Sequence, residues 1–440
     1  MRRHLTRLHE RLGDFWWYSL MLFCACRLAD LMNAFVGLWL VPKYVPPSEL
    51  GAVLPLASFA SFLALPIAAF AATFRNEISG LAIRREFGKL KTLMRGVFVA
   101  GVAFLFLATL VSHFILPHFL ERIRIVEGSL GTLILVSSFV SSVAPVYNNA
   151  LQALKKFRMT SFINLLGAPI RLVTMLVAIP FRPIAGYFVG QASTPLFAIG
   201  ASFFAIRKEL AIRAEPYWTR DVVRRFGRLF MIFLVTGIAG SLAALVESTV
   251  LRQRLPEVDS AAYYMVTRFS DIACFLYSTL VFTIFPFTAD LAAKGKTARP
   301  LVFKISAAII LFSGTLAVVF GIFGRPLLAL LPYGNEYAAF WWAIPWMIGI
   351  QTLYAISGIY QTAEISANRF GYLLWLVPLN LAYAAALLFV TGYGHFTNFL
   401  PVSWTETLAA HNICSLKTML WWMTGAGIAR LLLMIWKFPK

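Results

Sequence analysis

The stretch LPEVDSAAYYMVTRFSDIACFLYSTLVFTIFP (Leu255–Pro286) decides how the rest of the chain is read. It opens with a proline and two acids, Glu257 and Asp259, and continues as an apolar run. That run is long enough to cross a bilayer as a helix, which takes about 20 residues. Inside it stand Arg268 and Asp271, three apart and so on one helix face. An arginine at that depth costs about 2.5–3.5 kcal/mol on insertion scales, so such a pair faces protein or a wet cavity, not lipid. The stretch is a membrane helix with a polar inner side.

The same pattern recurs along the whole chain. Apolar runs at 15–41, 51–74, 96–117, 129–150, 161–181, 183–206, 229–251, 260–287, 304–323, 338–361, 371–391 and 417–436 make about twelve spans by the same length rule. Of the 440 residues, 60% are hydrophobic and 13% charged. An ordinary soluble chain is about 25% charged. The mean hydropathy is +0.75. The runs are continuous and do not alternate, which excludes a β-barrel. The chain reads as an all-α polytopic membrane protein.

A net charge of +20 would point to nucleic acid in a soluble protein. Its distribution points elsewhere. With the N-terminus inside, about 27 Lys/Arg fall in cytoplasmic segments and about 8 outside, as the positive-inside rule requires. The basic excess sets topology and meets anionic lipid headgroups; no nucleic-acid partner is expected. The expected location is a bacterial inner membrane, multi-pass, with both termini cytoplasmic.

The organisation is read as a basic tail (1–14), a six-helix bundle (15–206), a cytoplasmic linker (207–228) and a second six-helix bundle (229–440). Trp16, Trp17 and Tyr18 form an aromatic belt at the tail's membrane entry. The halves carry corresponding features about 210 residues apart. Pro47–Gly51 and Pro256–Ala261 introduce the second and eighth spans; LQALKKFRMTSF (Leu151–Phe162) and QTAEISANRFGY (Gln361–Tyr372) lead into the fifth and eleventh. Both of the latter loops are cytoplasmic, so the repeats run parallel and imply two bundles around a central cavity.

Besides Arg268, Arg27, Arg171 and Arg430 also stand inside apolar runs. Four such residues suggest a cationic chamber, and with it a carrier for an anionic cargo. Arg430 alternatively snorkels to the cytoplasmic interface. Arg75 reads as a headgroup anchor. Cys24, Cys26, Cys274 and Cys414 have no metal-ligand spacing, and no cofactor or metal is expected. An embedded glycan polymerase or acyltransferase would gather reactive groups at one face. Gly392–Leu416 offers His395, Glu406, His411 and Cys414 but no basic residue for a diphosphate donor, and HExxH, nucleophile-elbow and phosphate-loop motifs are missing from the sequence.

Four stretches carry a resemblance to a known family: LVPKYVPPSELGAVLPLASFASFLALP (Leu40–Pro66), the loop Leu151–Phe162, the opening stretch Leu255–Pro286, and LLALLPYGNEYAAFWWAIPWM (Leu327–Met347). They resemble the multidrug/oligosaccharidyl-lipid/polysaccharide (MOP) exporter superfamily, and within it the polysaccharide transporter branch of Wzx-type flippases. The resemblance implies alternating access and a lipid-linked oligosaccharide cargo on polyprenyl diphosphate. It also implies, as partners, the glycosyltransferases and polymerase of one pathway. Lipid II flippases typically have fourteen helices, a departure that argues against lipid II itself. An ion-coupled drug antiporter of the same superfamily is the alternative.

For such a cargo, Arg27, Arg171 and Arg268 are the expected head-group contacts, because the guanidinium fork binds phosphate bidentately. Arg27 with Asp30 resembles the Arg–acid pair in the first helix of lipid II flippases. Asp30 and Asp271 complete the expected cavity set; equally, each Arg–Asp pair could serve only to hold two helices together. Glu247 and Asp30 are the candidates for ion coupling. Tyr263, Tyr264, Trp341, Trp342 and Trp346 sit at span ends, which favours interfacial anchoring over sugar stacking. Pro66, Pro145, Pro169, Pro286, Pro345 and Pro378 are candidate hinges.

Overall fold

The computed structural model describes residues 24–390 and 415–438, apart from 25, 126–129, 155, 294–295 and 368. The basic tail, its aromatic belt and the segment bearing His395, Glu406, His411 and Cys414 lie outside them, as do the side chains of Arg75 and Pro286. The described residues are helical and contain no strand.

The helices are α1 (26–44), α2 (Val53–Leu63), α3 (Leu65–Ile83), α4 (Phe87–Arg122), α5 (Leu130–Ala153), α6 (Phe157–Ala178), α7 (Pro183–Ile206), α8 (Arg220–Arg254), α9 (Glu257–Ala293), α10 (Arg299–Ala329), α11 (Ala343–Ser366), α12 (Leu373–Val390) and α13 (Leu416–Lys437). Over the described residues the expected spans fall on helices, with 51–74 divided between α2 and α3 and 338–361 between a short helical segment (Ala338–Phe340) and α11. Among the described residues six helices are long and apolar enough to cross a membrane, and up to eight if each bent pair is one span. Large apolar side chains lie exposed along α4, with Phe106 at 74%, the surface a helix presents to hydrocarbon.

Two breaks interrupt the spans. The helical axis turns by 56° between Pro47–Leu63 and Leu65–Phe74, and by 62° between Gly334–Phe340 and Ala343–Ser366. Pro66 and Pro345 stand in the first turn of the segment after each break, where a missing N–H costs no helical hydrogen bond. Pro145, Pro169 and Pro378 lie inside continuous helices.

The stretch between the second and third expected spans, residues 75–95, is largely helical. α3 continues to Ile83 and α4 starts at Phe87, so the turn is only 84–86. Hydropathy marks where the bilayer stops, whereas the helix continues past it with polar residues on its surface.

Contacts divide the chain into two compact units. The first takes its described residues from Met1–Val36, Phe59–Glu121 and Val126–Ile238. Its core joins Ile67, Phe74 and Ile78 of α3, Leu90 and Leu93 of α4, Val143 and Tyr147 of α5, and Ile206 of α7. The tightest approach is in the α6–α7 hairpin. A Cβ on Gly186 would sit 2.5 Å from the Ala178 carbonyl carbon, so only glycine lets the two backbones meet there. Residues after α7 are strapped to the same unit. Tyr217 donates to Glu77 Oε2 at 2.7 Å, Arg225 pairs with the same carboxylate, and Thr92 Oγ1 donates to the Glu215 carbonyl at 2.6 Å.

The second unit takes its described residues from Gly37–Ser58, Arg122–Ile125 and Ala239–Lys440. At its centre α11 packs on α9, α10 and α13. It buries residues around its whole circumference, among them Met347, Ile350, Ile356, Ile359 and Ala363, as an apolar helix with no solvent face does. The two corresponding proline-led motifs meet in this unit. A Cβ on Gly51 would lie 2.2 Å from Ser260 Oγ. Beside them Arg252, only 2% exposed, donates from Nε to the Ile123 carbonyl at 3.1 Å and from Nη2 to the Ser48 carbonyl. Gly51→Val is therefore expected to force these segments apart and cost about 1–3 kcal/mol, read as a lowered thermal midpoint in detergent. Ser260→Gly in the same chain should recover part of the loss.

Candidate functional site

Two cavities carry the polar chemistry, one in each unit. That of the first unit has a volume of about 180 Å³ and is lined by Cys26, Ala29, Asp30, Asn33, Asn164, Ala168, Arg171 and Thr194. α1 supplies Arg27, Asp30 and Asn33 at steps of three, so they follow one face of the helix. Arg27 Nη2 pairs with Asp30 Oδ2 at 3.0 Å, and Arg171 Nη1 donates to Asn33 Oδ1 at 2.8 Å. Asn164 and Arg171, two turns apart, share the facing side of α6. Arg27, Asp30 and Arg171 are thus brought together, two of them on the wall and Arg27 through its pair. The space holds roughly six waters by their share of liquid volume, the scale of a diphosphate and less than an oligosaccharide needs.

Arg268 and Asp271 lie in the second unit. Their side chains pair at 2.8 Å, and the guanidinium stands 4.9 Å from the Tyr264 ring centroid. The aliphatic part of Arg268 lies against Gly37, whose added Cβ would be 3.0 Å from Arg268 Cδ. Neither Arg268 nor Asp271 lines the larger cavity.

The larger cavity, about 930 Å³, lies wholly within the second unit, on α2, α8, α9, α11, α12 and α13. Its volume falls within the range of small-molecule sites, about 300–1,000 Å³. Glu247 is on its wall and accepts hydrogen bonds from Tyr263 Oη and Tyr383 Oη, each at 3.1 Å. Gln351, Tyr354, Asn380, Trp421, Trp422 and Arg430 share the lining. Trp346 braces it from behind, donating from Nε1 to Thr424 Oγ1 at 2.9 Å.

Two expectations are corrected here. Tyr263 and Tyr264 are not interfacial anchors: they are 6% and 0% exposed, and they serve Glu247 and Arg268. Position near a span end cannot tell an inward tyrosine from an outward one. Arg430 does not snorkel to the interface; it lines the large cavity. Sequence reading missed Asn33, although it extends the Arg27–Asp30 spacing by one more step. It also missed the Gln351/Tyr354 and Asn380/Tyr383 pairs, which show the same three-residue period. Among the described residues no group of three or more His, Cys, Asp or Glu could hold a metal ion.

The arrangement is a multi-pass helical bundle with a polar cavity in each unit. No family model matches the chain, and no curated protein resembles it in sequence. Solved structures do. One is an inward-facing multidrug resistance MATE family transporter of the MOP superfamily, with TM-score 0.62 and 12% identity over 93% of this chain and 94% of that one. The lipid II flippase MurJ, in an inward closed conformation, gives TM-score 0.61 and 15% identity over 95% and 86%. The Vibrio cholerae MATE transporter VcmN in its bent form gives 0.58 and 15% over 98% and 97%. The chain shares the fold of these three proteins.

Proposed function

We propose that this chain is a flippase that moves a lipid-linked oligosaccharide, carried on polyprenyl diphosphate, across a bacterial inner membrane for cell-surface polysaccharide synthesis. The observation that carries the reading is the first unit's cavity, where Asp30 and Arg171 share a wall and Arg27 is tied to it through Asp30. Guanidinium forks suit a diphosphate, and a site of this kind keeps its charge in a membrane only if an anion or a fixed acid answers it. The likeness to a lipid II flippase supports a cargo with a lipid-borne head group. Arg268 with Asp271 supplies a second contact point. The two units alternate their access between membrane faces, no covalent step is involved, and glycosyltransferases and a polymerase of the same pathway act as partners. Both termini are cytoplasmic.

Glu247 is the coupling group in this reading, with Asp30 a second acid on a cavity wall. The two tyrosine hydroxyls on Glu247 leave it able to exchange a proton or a sodium ion for cavity water. Glu247→Gln should keep both tyrosine partners yet remove the dependence of transport on an imposed ion gradient, measured in proteoliposomes with and without the gradient. A variant that still responds to the gradient would transfer the role to Asp30.

The likeness to multidrug MATE transporters favours a second reading, an ion-coupled antiporter of small molecules. The two are separated by comparing lipid-linked oligosaccharide translocation with efflux of a cationic dye in the same vesicles. The flippase reading expects the first and little of the second.

A further inference from the structure

We propose that the 930 Å³ cavity of the second unit is a glycan subsite that recognises an acidic sugar, with Arg430 as the residue that reads the acid. The proposal rests on the lipid-linked oligosaccharide reading and names a property of its cargo. Arg430 comes from α13 and lies on the cavity wall. Its Nε is buried with no hydrogen-bond partner, and among the described residues no carboxylate is within ion-pair distance of it. Its guanidinium lies 5.6 Å from the ring centroid of Tyr354, close to the outer limit of a cation–π contact. Arg268 has Asp271, and Arg252 has two carbonyls. Holding an arginine in a membrane-level wall without such an answer is costly, and an anion entering the cavity relieves the cost.

The rest of the wall defines the anion. Gln351 and Asn380 present side-chain amides, which both donate and accept. Trp421 and Trp422 add indole rings to the lining. An inorganic anion would use the guanidinium and leave the amides and rings unused. An apolar drug would leave the amides unpaired, at a desolvation cost of about 1–3 kcal/mol each. A sugar ring has hydroxyls at its edge for the amides and C–H faces for the indoles. A carboxylate on that ring completes the match by meeting Arg430 through two parallel N–H···O bonds.

The test uses the full chain in lipid nanodiscs and saturation-transfer NMR with three soluble probes. These are a uronic-acid disaccharide, its neutral methyl ester, and inorganic pyrophosphate. The acid should bind at least ~10-fold tighter than the ester, the value of one charge-assisted contact. Arg430→Gln should erase the preference and Arg430→Lys restore part of it, while Trp421→Ala weakens acid and ester together. Equal binding of acid and ester by the parent protein overturns the proposal, and that comparison stands even if Arg430→Gln fails to insert. So does a preference that survives in Arg430→Gln, or displacement of the acid by pyrophosphate, which would make Arg430 a phosphate contact. If a neutral lipid-linked glycan is flipped and no acid preference exists, this inference fails and the flippase reading stands. If the acid binds through Arg430 but no lipid-linked donor is moved, the subsite stands and the flippase reading fails.

Discussion

Arg252→Ala should yield a protein that inserts but melts far below the parent. The side chain is fully enclosed and serves as donor to the carbonyls of Ile123 and Ser48, which belong to the α4–α5 connection and the turn before α2. Truncation leaves two buried acceptors without a donor, about 1–3 kcal/mol each, and opens a cavity besides. The total is roughly 3–6 kcal/mol. Arg252→Lys should fall between, because an ammonium on one stem cannot span both carbonyls as a planar fork does. Thermal unfolding followed by circular dichroism in detergent reads the difference. A midpoint equal to the parent's would mean that water replaces the guanidinium at no cost.

Arg171→Ala should have the largest effect on transport. It removes the cation from the first unit's cavity and the bond to Asn33, while α6 keeps its apolar packing. One charge-assisted contact to a phosphate is worth about 1.5–3 kcal/mol, so translocation should fall roughly 10- to 100-fold. Arg171→Lys keeps the charge without the fork and should recover part of the rate. The thermal midpoint should change little, which separates this loss from one of folding. Parental transport by Arg171→Ala would mean that the arginine only ties α6 to α1.

The helices were the most legible part of the sequence, because a run of about 20 apolar residues has few structures open to it. The range expected for the sixth span, 183–206, is that of α7, where Pro183 starts the helix. The two acid-paired arginines were equally legible, since spacing by three fixes a shared face without knowledge of any neighbour: Arg27–Asp30 and Arg268–Asp271 both form. What the sequence hid is pairing between helices. Arg171 meets Asn33 across 138 positions, and Tyr383 meets Glu247 across 136. Nothing local in either segment marks its partner. The direction of an aromatic at a span end was hidden for the same reason, so Tyr263 looked like an anchor when it is a ligand of Glu247.

The most direct test is translocation of a lipid-linked oligosaccharide by the purified protein in proteoliposomes, scored by access of an external glycan-cleaving enzyme to the head group. The account predicts flipping by the intact chain, loss of it in Arg27→Ala and Arg268→Ala proteins that remain folded and inserted, and little efflux of a cationic dye. Dye efflux driven by an ion gradient, with no donor flipped by the intact protein, would contradict it.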